Sequence, residues 1–268
     1  MRYVSVYPRA NWRGGLAVML AIAALGVSRP AASAALPQET GAIRPLARPA
    51  APQVSIGLGT VYTQTFDSLA ISGTSNAWVN DSTLPGWYAA QSSGTLSTYR
   101  ADTGSSNSGA LYSFGSAPGG ITSTERALGS ISSGTPQTIF YGARFTNNTP
   151  NAITSLVVAY TGEQWRMGGN LSTQKLAFEY QVGAAGLTSG TWTAVTALDF
   201  TSPITGAVAS PVALDGNAAA NRTVIGPIAF TTLITPGVDV WVRWTDINDT
   251  GNDHGLAIDN FSIVALGP

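Results

Sequence analysis

The sequence predicts an all-β fold, a two-sheet antiparallel sandwich of jelly-roll type, and three observations carry that prediction. Apolar and polar residues alternate over short runs, turn-forming clusters separate the runs, and no amphipathic helix of useful length follows the N-terminal segment. In "KLAFEYQV", Leu176, Phe178, Tyr180 and Val182 fall on one face, with Lys175, Ala177, Glu179 and Gln181 on the other. "VDVWVRW" repeats the pattern, with Val238, Val240, Val242 and Trp244 opposite Asp239, Trp241 and Arg243. "TIFYGARF" and "TSLVVAY" read as further strands, rich in the β-branched and aromatic residues that suit a pleated surface. About ten to twelve short strands over about 205 residues fit one sandwich domain. No fixed-period repeat is visible, which argues against a propeller or solenoid.

Composition narrows the setting. Of 268 residues, 44% are hydrophobic and only 10% charged, against about 25% charged in ordinary soluble domains. The surface must therefore be made of Ser, Thr, Asn, Gln and Gly, as in exported β-proteins. With no cysteine and one histidine, His254, a disulfide framework, a thiolate zinc site and an HExxH centre are excluded. Arg2, Arg9 and Arg13 precede the apolar run Gly15–Val27, and Ala32-Ser33-Ala34 offers a cleavage site. Residues 1–34 therefore read as a signal peptide, with the mature chain starting at Ala35. Left uncleaved, the same segment would anchor the chain to a membrane. Residues 35–59 read as a Pro/Ala-rich linker and residues 60–266 as the sandwich. Without Arg2, Arg9, Arg13 and Arg29, nine basic residues face fourteen acidic ones. Such a surface repels phosphates, so no nucleic-acid partner is expected.

Asp102-Thr103-Gly104 spells the loop of a pepsin-like protease. That chemistry needs a second aspartate sharing a proton with the first, and Asp67-Ser68-Leu69 and Asp81-Ser82-Thr83 both lack the glycine. Asp102, Thr103 and Gly104 are therefore read as a turn in which Asp satisfies local backbone groups. His254, between Asp253 and Gly255, reads as a solvated loop residue. A glycosidase would need two facing carboxylates. Glu163 and Glu179 are available, but the first reads as a strand-end ion pair and the second as solvent-exposed.

Two patterns point to binding. Trp241, on the Asp239/Arg243 face, is the best candidate for an exposed platform on which a sugar ring could stack, with Trp78 and Trp87 as loop-borne alternatives. The stretch "WTDINDTGNDHGLAIDNFSI" gathers Asp246, Asn248, Asp249, Asn252, Asp253 and Asp259, hard oxygen ligands suited to calcium. Strict alternation puts Asp259 on the face of Ala257, Phe261 and Ile263, pointing inward unless a bulge intervenes. A buried carboxylate needs a cation or several donors. The expectation is a structural Ca²⁺ held by Asp67, Asp259 and Asn260, tying the first strand to the last, with Arg126 or Arg144 as the competing partner. No organic cofactor is expected.

"YTGEQWR" (160–166), "LAFEYQV", "ERALGS" (125–130) and "HGLAIDNFSI" (254–263) together resemble exported bacterial β-sandwich modules. Such modules occur in secreted proteins with Pro-Glu-Pro C-terminal sorting signals and ahead of the catalytic domain of some extracellular endonuclease and lamin-tail proteins. The resemblance implies a non-catalytic extracellular module. The expected function is binding or scaffolding by an exported, periplasmic or cell-surface domain, as an accessory subunit at the outer face of a membrane complex. A carbohydrate-binding module is the alternative and a secreted hydrolase the second. The partner is a protein or an extracellular glycan.

Overall fold

Alternating burial builds sixteen strands among the described residues, which in this computed structural model are 54–116, 124–206 and 211–268. The expected signal peptide and most of the expected linker lie outside them. A seven-stranded sheet holds β1 (Val54–Ile56), β4 (Trp87–Gln91), β8 (Ile139–Asn147), β10 (Lys175–Val182), β11 (Thr193–Ala194), β12 (Phe200–Thr201) and β15 (Asp239–Asp246). A nine-stranded sheet holds β2 (Val61–Gln64), β3 (Asn76–Ala77), β5 (Thr98–Asp102), β6 (Ala110–Phe114), β7 (Ala127–Ile131), β9 (Ile153–Met167), β13 (Val212–Ala213), β14 (Arg222–Ile234) and β16 (Gly255–Leu266). Pairing is antiparallel except for β1 with β8 and β5 with β6, so the sheets are mixed rather than purely antiparallel. β1 also puts residues 54–56 in the sandwich, ahead of the expected boundary at residue 60. No helix among the described residues is long and apolar enough to cross a membrane.

The inner faces meet as read for β10 and β15: Leu176, Phe178, Val240, Val242 and Trp244 are buried between the sheets. Trp244 is central, stacked on Trp87 at 6.1 Å and edge-on to Tyr160, Phe178 and Phe261. Such pairs add specific geometry to the large apolar area they bury.

Both outer faces are partly roofed, which alternation alone does not foretell. On the seven-stranded sheet, Ala184, Leu187 and Trp192 lie over Tyr88, Phe140 and Trp241. On the nine-stranded sheet, Tyr112, Phe114, Ala127, Ile131, Trp165 and Ala257 form a second apolar layer. Gly216 lies directly on the Trp165 ring, where an added Cβ would come within 2.3 Å of the indole. From Tyr160 onward β9 is therefore buried on both faces.

Asp259 shows why the face assignment had to change. A register shift lies between Asp259 and Ser262, and Asn260 takes φ 50°. That bulge turns the strand over. Phe261 and Ile263 enter the inter-sheet core, whereas Ala257 belongs to the outer layer. Asp259, two residues on from Ala257, points outward with it and is buried by the roof.

Candidate functional site

Register brings three acidic side chains to one point beneath that roof. Glu163 of β9 lies opposite Ala257 of β16, and Asp259 lies opposite Thr161, so Glu163 and Asp259 are diagonal neighbours on one face. Glu125, just before β7, completes the group: one carboxylate oxygen from each of Glu125, Glu163 and Asp259 lies within 4.8 Å of the others. Among the described residues these are the acidic or histidine side chains that converge in this way.

Each carboxylate has one oxygen bonded by a nitrogen donor. Trp165 Nε1–H donates to Glu163 Oε2 at 2.9 Å, Asn260 Nδ2–H to Asp259 Oδ2 at 2.6 Å, and Asn217 Nδ2–H to Glu125 Oε2. Glu163 is 1% exposed and Asp259 3% exposed, yet Glu163 Oε1 and Asp259 Oδ1 accept no hydrogen bond. Burial, then the neighbouring Asp259, pushes the Glu163 carboxyl up to about 8. Burial, with Glu125 and Asp67 nearby, pushes Asp259 up to about 7. Arg222, opposite Glu163 on β14, opposes the shift of Glu163. This is a charge-dense, all-oxygen site. Glu163 is no strand-end ion pair, because Arg166 instead donates to the Gly104 and Ser105 carbonyls.

Of the expected set of Asp67, Asp259 and Asn260, Asp259 stands in this acidic group. Asp67 stands exposed at the margin, with Oδ1 taken by the Arg126 backbone N–H at 3.1 Å. Asn260 is exposed and serves Asp259 as a donor. Neither proposed arginine pairs with Asp259. Arg126 Nε and Nη2 bond Ser113, and Arg144 pairs with Asp239 at 2.7 Å. Glu125 and Glu163 were missed as members of this group because nothing local in the sequence places them beside the last strand.

The Asp102 loop is a turn. Asp102 Oδ1 accepts the Ser106 N–H at 3.0 Å, and Ser105 Oγ–H reaches Oδ2 at 3.2 Å. Gly104 is required there: its φ is +86°, and an added Cβ would lie 1.8 Å from the Trp165 carbonyl oxygen.

At the free margin of the sandwich, an open trough of about 430 Å³ runs between the two sheets. Tyr180 and Phe230 supply its aromatic surface, their rings 4.7 Å apart and tilted by 35°, and Ser155, Thr193 and Thr231 supply hydroxyls. No charged residue lines it.

No family model matches the chain, nor does any curated protein. Solved structures similar to it include two adhesin domains. The K3 cleaved adhesin domain of Lys-gingipain from Porphyromonas gingivalis W83 matches over 69% of this chain and 96% of its own, at 14% identity and a TM-score of 0.36. The K2 cleaved adhesin domain of Lys-gingipain matches over 76% and 97%, at 14% identity and a TM-score of 0.34. A likeness of that degree assigns neither ligand nor site to this chain.

The tryptophan expectation is corrected by burial. Trp241 and Trp78 are each 4% exposed and Trp87 is 0% exposed, so none offers a ring face to a ligand. Trp241 lies under the 183–192 segment, beside an arginine sandwich in which the Arg243 guanidinium stacks 4.0 Å from Trp192 and 4.8 Å from Phe140. Arg243 also pairs with Glu179 at 2.7 Å, so Glu179 is not free in solvent. Glu163 and Glu179 stand in different sheets, on opposite outer faces, and cannot flank one glycosidic bond.

His254 is buried, not solvated. At 1% exposure its Nδ1 accepts the Gly168 N–H at 2.9 Å. Asp253 does not orient it: Asp253 Oδ1 accepts from Asp249 N–H and Gln174 Nε2–H. In the same stretch Asp246 is buried, accepts from Ser130 Oγ–H at 2.6 Å and is pushed by burial up to about 7. These groups brace the end of the sandwich.

Proposed function

We propose that the domain is an exported, non-catalytic binding module that holds a neutral glycan in the Tyr180–Phe230 trough. The observation that carries this reading is the trough itself: tilted aromatic rings, three hydroxyl-bearing neighbours and no charge. Apolar ring faces match the C–H faces of a pyranose, while hydroxyls meet its edges. The separation of Glu163 from Glu179, and the local bonding of Asp102 and His254, support a non-catalytic role.

Affinity electrophoresis in gels containing neutral polysaccharides tests the reading. Retardation by at least one polysaccharide, lost in Tyr180→Ala and Phe230→Ala variants that melt as cooperatively as the wild type, is the expected result. Retardation that survives both substitutions, or none with any polysaccharide, sinks it.

A protein partner, with the domain as an accessory subunit at the outer face of a membrane complex, is the second reading. Val224 and Leu233 favour it, exposed at 74% and 64% on the edge strand β14. Co-purification that is lost on Val224→Ser with Leu233→Ser, and not on Tyr180→Ala, would select it.

A further inference from the structure

We infer that Glu125, Glu163 and Asp259 form a calcium site that clamps three separate segments of the chain beneath the roof of the nine-stranded sheet. The inference is independent of what the trough binds. Glu163 comes from β9, Asp259 from β16 and Glu125 from the approach to β7, so one ion would join strands that are distant in sequence.

Two observations beyond the presence of acidic residues point to a cation. Glu163 Oε1 and Asp259 Oδ1 are buried without a hydrogen-bond donor, on side chains more than nine-tenths buried. A buried carboxylate oxygen without a donor is costly and calls for a cation or a proton. Secondly, one oxygen of each carboxylate is already fixed by a nitrogen donor, from Trp165, Asn260 and Asn217 respectively. Such outer-shell donors orient ligands toward a shared ion.

Size and chemistry select the metal class. Oxygens no more than 4.8 Å apart share a centre within about 2.8 Å of each, close to the roughly 2.3–2.6 Å of a calcium–oxygen bond. Magnesium would draw them in to about 2.0–2.1 Å and demands near-ideal octahedral geometry. An all-carboxylate set without His or Cys disfavours zinc and copper. A divalent ion would offset most of the charge of the three carboxylates. Arg222 is exposed beside Glu163, and the Arg126 guanidinium acts on Glu125 but is bonded to Ser113.

The alternative occupant is a proton shared among the carboxyls, and the test separates the two. Terbium(III) is added to the purified domain as a calcium stand-in, with indole excitation. Trp165 touches the Glu163 carboxylate, so bound terbium should luminesce by energy transfer. Saturable luminescence that calcium competes away is expected, together with a melting temperature about 5–10 °C higher in calcium than in chelator at ~100 times the dissociation constant. Glu163→Gln and Asp259→Asn should each abolish both signals while still melting cooperatively in chelator. Asp249→Asn, in the acidic C-terminal loop, should leave both intact. No luminescence and no calcium shift in the wild type would overturn the inference in favour of shared protons. Signals lost in Asp249→Asn but kept in Glu163→Gln would overturn it in favour of the loop.

Discussion

Glu163 and Asp259 are diagonal neighbours across the β9–β16 ladder, each with a buried oxygen that accepts no hydrogen bond and with carboxylate oxygens within 4.8 Å of one another. Two like charges at that separation repel, and the cost is borne by the folded state alone. The inferred ion would offset that repulsion.

That cost predicts a sign reversal. In chelator at about pH 8, above the raised Asp259 carboxyl, Asp259→Asn should raise stability by about 1–3 kcal/mol, because it removes a buried carboxylate charge beside Glu163. In calcium the same variant should be less stable than the wild type, because it forfeits the ion. Paired thermal melts of both proteins in the two buffers measure it. A variant that is destabilised equally in both would mean that Asp259 serves packing alone.

Asp246 predicts a pH dependence. It faces Ser130, Ser132, Asp249, Asp253 and Tyr141, and burial raises its carboxyl from 3.8 to about 7. Between those values the folded state keeps a proton that the unfolded chain has released. Its contribution is therefore complete below about pH 4 and is lost as pH rises through about 7. The stability of the wild type relative to Asp246→Asn should fall over that window by up to about 1.4 kcal/mol per pH unit, then level off. Denaturant titrations in chelator from pH 4 to 8 measure the difference. A flat difference would show that Asp246 is ionised throughout.

Gly104 and Asp102 predict opposite outcomes within one loop. Gly104→Ala must strain a φ of +86° and meet the Trp165 carbonyl, at an expected cost of about 1–3 kcal/mol. Asp102→Asn keeps an oxygen for the Ser106 N–H and should change stability by less than about 0.5 kcal/mol. Acid-pH proteolysis by the wild type, abolished in Asp102→Asn, would reverse the reading of this loop.

Arg243 predicts a failed conservative swap. Its guanidinium stacks on Trp192, pairs with Glu179 and donates to the Leu187 carbonyl. Arg243→Lys cannot reproduce the planar fork. A loss of about 3 kcal/mol is expected, since Glu179 would be left half-buried and poorly paired. The 183–192 roof should loosen as well, increasing quenching of Trp192 and Trp241 fluorescence. Full retention of stability in the Lys variant would limit the stack to a surface contact.

Periodicity made the sandwich legible. "KLAFEYQV" coincides with β10, and the apolar face of "VDVWVRW" supplies Val240, Val242 and Trp244 to the core. It failed wherever an irregular segment folds back over a sheet. The 183–192 and 211–221 segments carry no strand pattern, yet one buries Trp241 and the other sets Gly216 against Trp165 and Asn217 against Glu125. The bulge at Asn260 was equally hidden, since nothing in "IDNFSI" announces it. Asp259 was thus legible as a buried carboxylate in need of a partner, on the wrong face. Its companions Glu125 and Glu163 are brought to it by long-range strand pairing, which no local pattern encodes.

The most direct test is a crystal structure of the domain grown in calcium. The account predicts spherical density bonded to Glu125, Glu163 and Asp259 at about 2.3–2.6 Å, with further oxygens completing six to eight ligands. Carboxyl oxygens of Glu163 and Asp259 drawn together at hydrogen-bonding distance, with no ion between them at saturating calcium, would contradict it.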